Sequence, residues 1–276
     1  MDILFIHQNF PGQFKNLAPA IAKLGHNVIA LTLRKSPAQK WNGVSVIPYK
    51  LHRSSSKTIH PWLADFESKI IRGEACMRAA LYLKAQGFNP QVIIAHPGWG
   101  ESLFLKDVWP ETKIAIYCEF FYNNEGADIN FDPEFSSKTP WDNSKLKIKN
   151  LNNLLHMQMA NTAVSPTRWQ ASTFPPDFQQ KISIIHEGID TSRIHPNPDA
   201  RLKLNEQLTL TKSDEIITFA ARNLEPYRGF HIFMRALPSI LLRCPTAHVL
   251  IAGEDGVSYG NRPAQGKSWR QIFTEQ

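Results

Sequence analysis

Ile216-Ile217-Thr218-Phe219-Ala220-Ala221-Arg222-Asn223-Leu224-Glu225-Pro226-Tyr227-Arg228-Gly229-Phe230 is the stretch on which the fold turns. Its first six residues form an apolar, β-prone run, and Phe230 to Leu242 repeats apolar residues at helical spacing. A strand that passes through a short turn into a helix is the building unit of a parallel α/β sheet. Arg222 and Arg228, six positions apart, fall in the predicted turn. Ligands of open α/β sheets bind at this end of the strands. Guanidinium groups stay charged and donate in pairs, which suits a diphosphate. The helix start behind Gly229 adds a positive dipole end.

The same alternation runs through the rest of the chain. Strands are predicted at Asp2–Ile6, Asn27–Leu33, Val44–Ile47, Gln91–Ala95, Lys113–Cys118, Thr162–Val164, Ile182–Ile185 and His248–Ala252, with helices over Phe14–Leu24, Trp62–Gln86, Glu101–Val108 and Lys145–Met159. Ser165-Pro166 reads as a helix start, with Ser165 as N-cap and Pro166 at the first helical position. Asn123 to Asn143 reads as a long polar loop. Such alternation implies a parallel sheet with right-handed crossovers. Asp190 to Leu210, with Pro196 and Pro198, breaks it. The expected organisation is a Rossmann-like domain over 1–190, a linker over 191–210, and the first part of a second α/β domain over 211–276.

Composition narrows the function. At 42% hydrophobic residues the chain can build real cores. It has no apolar run long enough to span a bilayer, and Met1-Asp2-Ile3-Leu4 leads directly into a strand rather than a signal peptide. Cys76, Cys118 and Cys244 are odd in number and far apart, which predicts reduced, buried thiols in a cytoplasmic protein. Residues 1–90 hold 12 basic and 4 acidic side chains, a net +8, whereas residues 91–276 carry −1. That excess is either a solvated face or a surface for anionic lipid at the inner face of a membrane. Its scatter, without a recognised motif, argues against nucleic acid. No Asp-x-Asp triplet or helical His-x3-His pair signals a metal.

On the arginine turn, the chain resembles the family 4 glycosyltransferases of the GT-B fold, whose donor domain carries an Arg…Lys/Arg pair there. His7-Gln8-Asn9-Phe10-Pro11-Gly12-Gln13-Phe14 is similar to the family's N-terminal loop. His186-Glu187-Gly188-Ile189-Asp190 is similar to its Asn-Gly-hydrophobic-Asp segment, with Glu187 in place of Asn. Ile251-Ala252-Gly253-Glu254 is similar to its hydrophobic-x-Gly-x-Gly strand end, and Glu254-Asp255-Gly256 nearly completes it. The motifs are collinear over nearly the whole chain. The resemblance implies a transfer of a sugar, with retention of configuration, from a nucleotide-diphosphate donor to a glycan or lipid-linked acceptor in polysaccharide or glycoconjugate synthesis. It implies no metal or other cofactor. The family's Glu-x7-Glu motif lies beyond the sequence in hand, so the second domain is expected to be incomplete and transfer by this chain alone absent. A nucleotide-sugar epimerase and a non-catalytic binding module are the competing functions.

Individual residues carry these expectations. Arg222 and Arg228 would stabilise charge on a departing diphosphate, or else simply decorate a loop. Gly12, in the first strand–helix turn, would let a backbone approach a ligand, or merely make a tight turn. It is not part of a G-x-G-x-x-G fingerprint, which argues against a dinucleotide. His96 ends a strand, where a side chain can hydrogen-bond a donor sugar or orient the acceptor, or serve structure only. Glu119 heads the cluster Phe120-Phe121-Tyr122 and is a candidate to meet the acceptor. Glu187 is a weaker substrate candidate, and Gly253 and Glu254 are candidates for the base or ribose. Glu101 is read as a dipole partner at a helix start.

Overall fold

The computed structural model describes residues 1–34, 39–124, 129–136, 139–263 and 266–276. The chain forms two compact units. The first comprises Met1–Ile129 and Thr139–Gly188, the second Asn130–Lys138 and Ile189–Gln276.

The first unit is a doubly wound α/β layer. Its strands are β1 (Asp2–Ile6), β2 (Asn27–Thr32), β3 (Lys40–Trp41), β4 (Val44–Pro48), β5 (Val92–Ala95), β6 (Lys113–Tyr117), β7 (Thr162–Ser165) and β8 (Ile182–Ile184). They lie in the order β3-β4-β2-β1-β5-β6-β7-β8, and all neighbours are parallel except the two-residue β3, which pairs antiparallel at the edge. The order reverses between β1 and β5, which marks the switch point where such sheets open a crevice.

Period-two side chains split the apolar residues between two cores. Leu4, Ile6, Ile29, Leu31, Ile93 and Ala95 face one side, where Ala75, Cys76, Ala80 and Leu83 of helix α2 (Ala64–Ala85) cover them. Ile3, Phe5, Val28 and Ala30 face the other, against Phe14 and Ala18, the latter on α1 (Leu17–Lys23). Of the remaining helices α3 (Leu105–Val108), α4 (Asp142–Met159), α5 (Arg168–Ser172) and α6 (Pro176–Gln179), α4 packs against α2.

Several local expectations are corrected. Glu101 does not open a helix: α3 begins at Leu105, and Glu101 lies in the preceding turn with no exposed surface. Helix α5 is capped by Thr167, whose hydroxyl accepts from the Gln170 amide at 3.1 Å. Ser165 stays in β7, and its hydroxyl donates to the Cys118 carbonyl. Cys76 and Cys118 are buried, but Cys244 is only half-buried.

The second unit pairs β11 (Ile216–Asn223) in parallel with β12 (His248–Glu254), connected through α7 (Phe230–Arg243). Residues 191–210, expected as a linker, instead hold β9 (Arg201–Lys203) and the first part of β10 (Thr209–Thr211), an antiparallel hairpin whose turn is fixed by Asn205 accepting from the Gln207 and Leu208 amides. The core is small. Leu224, Phe230 and Phe273 are buried, with Phe135, Phe219, Met234 and Trp269 packed on them. Phe273 and Trp269 come from α8 (Trp269–Thr274), which starts with a capping box at Ser268 and Gln271. Phe135 arrives from the segment predicted as a long polar loop; residues 125–128 and 137–138 of that loop lie outside the described residues. Among the described residues no helix is long and apolar enough to cross a membrane.

Candidate functional site

In the first unit the C-terminal ends of β1, β5 and β6 deliver His7, His96 and Glu119 to one place. His96 Nε2 lies 3.0 Å from Glu119 Oε2, and its Nδ1 accepts from the Gly98 amide at 3.2 Å. The amide fixes the tautomer: with Nδ1 accepting, Nε2 carries the proton and donates to Glu119. That hydrogen bond lowers the Glu119 pKa below the ordinary carboxylate value. The imidazole is buried, yet the Glu119 side chain remains 44% exposed. His96 is stacked between Trp99 at 4.6 Å and Tyr117 at 5.6 Å. A small cavity beside the pair is lined by Lys69, Glu119, Tyr122, Lys149 and Asn153.

His7 sits edge-on to His96, ring centres 5.3 Å apart. Its Nδ1 accepts from the Asn9 amide at 3.0 Å, so Nε2 donates to Gln13 Oε1 at 2.7 Å. Burial, followed by the neighbouring His96, pushes its pKa down to about 4. Gly12 closes over this ring with φ +46°, and a Cβ there would stand 2.2 Å from His7 Cε1 and Nε2. The close approach that demands glycine is therefore to an imidazole. In the sequence His7 was marked only as the first residue of the stretch that resembles the family's N-terminal loop, with no role of its own.

Glu187 accepts from the Tyr117 hydroxyl at 2.5 Å. Burial and then that carboxylate raise the Tyr117 pKa. The pair borders a mainly apolar cavity of about 360 Å³ lined by Phe14, Leu17, Ile94 and Ile185. Deeper in the unit, Ser102 donates to His156 Nε2 at 2.7 Å while His156 Nδ1 donates to the Asn152 carbonyl, and burial lowers the His156 pKa to about 4.

In the second unit Arg222 does not lie in the turn. Strand β11 continues to Asn223, so Arg222 is a strand-end residue, and Arg228 alone belongs to the 3-10 turn Pro226–Arg228. Both are exposed, and among the described residues neither makes an ion pair. Arg222, Gly253 and Glu254 line one open cleft with Ala220, Ala221 and Ala252 at the ends of β11 and β12. Arg228 lies instead over the Tyr259 ring at 5.3 Å. Gly253 is required by packing: a Cβ would meet Leu224 Cδ2 at 2.7 Å and the Ala221 carbonyl at 2.8 Å.

Glu225, which sequence patterns do not single out, anchors this turn. It is fully buried, and both its oxygens accept from the Ser258 amide at 3.0 Å. A second grouping was equally invisible in sequence. Asp132, Glu134 and His231 each offer a potential ligand atom, and these atoms lie within 4.8 Å of one another.

Known proteins resemble this chain in sequence and in fold. A family model described as "Glycosyl transferase family 4 group" matches residues 24–194. A GDP-mannose-dependent alpha-(1-6)-phosphatidylinositol monomannoside mannosyltransferase of Mycolicibacterium smegmatis is 30% identical over 96 residues, which is 34% of this chain and 25% of that protein. Among solved structures, the catalytic domain of starch synthase IV from Arabidopsis thaliana, bound to ADP and acarbose, has a TM-score of 0.55 at 15% identity, covering 91% of this chain and 68% of that one. The UDP-GlcNAc 2-epimerase of Neisseria meningitidis, bound to UDP-GlcNAc, has a TM-score of 0.39 at 13% identity, covering 92% and 66%. The chain thus spans a quarter of the mycobacterial relative and 62% to 68% of solved structures it resembles. The α/β architecture is of the GT-B type, and the chain belongs to the glycosyl transferase family 4 group.

Proposed function

We propose that the chain is the acceptor-side unit and part of the donor-side unit of a retaining glycosyltransferase that moves a sugar from a nucleotide-diphosphate donor to a glycan or lipid-linked acceptor. The carrying observation is the cleft at the ends of parallel strands β11 and β12, where exposed Arg222 stands beside Gly253 and Glu254. As the bond from sugar to diphosphate breaks, negative charge grows on the leaving oxygen. Cations aimed there favour the transition state over the ground state. Arg222 supplies that charge from the cleft, and Arg228, exposed beside Tyr259 on the next turn, is the second cation proposed for the diphosphate, so the transfer step needs no divalent metal. Glu254 is suited to accept from ribose hydroxyls.

On the acceptor side, the hydrogen bonds divide the roles. Both ring nitrogens of His96 are engaged, one with Gly98 and one with Glu119. His96 is therefore a positioning residue that holds Glu119, whose exposed carboxylate accepts from an acceptor hydroxyl. Glu187 is a further polar group for the acceptor, beside Tyr117. The lipid-linked acceptor draws support from the name of the mycobacterial relative, and the basic excess of residues 1–90 supports a peripheral seat on the cytoplasmic face of an anionic membrane.

The test measures donor hydrolysis and sugar transfer separately. GDP-mannose and phosphatidylinositol mannosides are tried first, because the relative's name contains both. Transfer with retained configuration, weakened in Glu119→Gln, is the expected result. Epimerisation of a sugar nucleotide without transfer, or acceptor binding without turnover, would replace the reading by one of its two competitors.

A further inference from the structure

His231 is the second residue of α7 and is only 2% exposed. Its ring packs edge-on to Phe135 at 4.9 Å and lies 5.9 Å from Phe273. Among the described residues neither ring nitrogen has a hydrogen-bond partner. An imidazole buried without partners is a costly arrangement. The ring is nevertheless aimed at polar groups: Nε2 lies 2.9 Å from Asp132 Oδ2, an approach off the N–H direction and so not a hydrogen bond.

The other groups are held in place. Asp132 Oδ1 accepts from the Glu134 amide at 2.9 Å. Glu134 takes two 2.7 Å hydrogen bonds from Arg235, which stands one helical turn beyond His231 on the same face of α7. Two carboxylates thus converge on the buried imidazole, with one guanidinium on their outer side.

We propose that Asp132, Glu134 and His231 bind a divalent transition-metal ion, of which Zn2+ fits best, and that the ion fastens the 130–136 segment to the first turn of α7. One imidazole and two carboxylates are a borderline donor set that favours Zn2+ or Mn2+ over Mg2+ and Ca2+. In a tetrahedral zinc site neighbouring ligand atoms stand about 3.4 Å apart, within the spread of these three groups. The cation takes up one of the two unpartnered ring nitrogens and offsets the two carboxylates beside it. A carboxylate has lone pairs beyond the two that Arg235 occupies, so the guanidinium stays as the outer partner that orients Glu134. Three protein ligands leave a fourth position for water. The role is structural, independent of sugar transfer and of the functional reading above.

The experiment titrates Zn2+ into the whole chain after chelator treatment, by calorimetry, with Mg2+ as control. One saturable site at micromolar zinc is expected, together with a higher melting temperature and slower amide exchange over residues 130–136. His231→Gln removes a direct ligand and should weaken this site by more than roughly a hundred-fold, beyond the about 10–100-fold of an outer-shell loss. Because His231 is buried and that variant could unfold the second unit, Asp132→Asn is the second probe, at a partly exposed side chain. Zinc binding unchanged in both variants, no saturable site in the parent protein, or equal affinity for Mg2+ would overturn the assignment.

Discussion

Replacing Glu101 by Gln separates charge from shape at a site with no exposed surface. One carboxylate oxygen accepts from the Tyr49 hydroxyl at 3.1 Å, and the other has no partner among the described residues. Burial raises the pKa from its ordinary 4.5 to about 7. Because the folded value is the higher one, the folded protein holds a proton that the unfolded chain has already released. This stabilisation is complete below about pH 4.5 and is lost as pH rises through 7. A shift of about 2.5 pH units at 1.36 kcal/mol each gives about 3 kcal/mol, of which about 2.5 kcal/mol falls between pH 5 and pH 8. Glutamine stays neutral throughout and suffers no such loss. Its unpaired amide N–H groups cost about 1–3 kcal/mol at every pH, a constant offset. His7 and His156, whose lowered pKa values make the fold lose stability as pH falls from 6.5 towards 4, act in the opposite direction. They are common to both proteins and cancel in the difference. The assay is urea unfolding of parent and variant at both pH values, followed by tryptophan fluorescence, since Trp109 is buried in the same unit. The variant should gain about 2.5 kcal/mol on the parent between pH 5 and pH 8. A stability difference that does not change with pH would refute the buried, proton-holding carboxyl.

Other perturbations probe the remaining features. Gly12→Ala should destabilise the first unit by about 2 kcal/mol or more in the same urea assay, since it combines a left-handed backbone with a Cβ 2.2 Å from His7; an unchanged midpoint would contradict the close approach. Arg222→Ala and Arg228→Ala, introduced into a protein that transfers sugar, should each lower turnover by about ten- to a thousand-fold with little change in melting temperature, because both side chains are exposed. Arg228→Lys should be milder than Arg222→Lys, and full activity in both alanine variants would remove the phosphate role. Binding to anionic vesicles should be measurable at low salt and fade as the screening length falls below ~8 Å, whereas equal sedimentation with neutral vesicles would make the basic excess a solvated face.

The alternation of apolar runs carried most of the architecture. Period-two side chains at Leu4, Ile6, Phe5 and Ile3 announce a strand buried on both faces, and the parallel order follows. Short-range chemistry was harder to read. Ser165 and Thr167 are both good caps, and only the hydrogen bond from Ser165 to the Cys118 carbonyl, just beyond the end of β6, decides between them. The hairpin at 201–211 was hidden because its strands are three residues each, too short to show a period. At the site, His96 and Glu119 were visible as strand-end residues. Glu225 and the Asp132–Glu134–His231 grouping depend on partners brought in from distant sequence, as in the 101 positions from Glu134 to Arg235, and His7, bonded locally to Asn9 and Gln13, meets His96 only across the sheet. No spacing rule reports such pairings.

The inclusion of Asn130–Lys138 in the second unit has a consequence for dividing the protein. The chain passes between the units after Ile129, before Thr139 and after Gly188, so a single cut cannot separate them. A fragment beginning at Ile189 would lack Phe135, one of the aromatic rings on its core, along with both carboxylates beside His231. The second unit is also sequence-discontinuous as a folding problem: β6 and the segment after it must be synthesised long before α7 exists to receive Phe135. Its final packing therefore waits for a loop closure of about a hundred residues, a step of low probability per attempt even though its entropy grows only slowly with length.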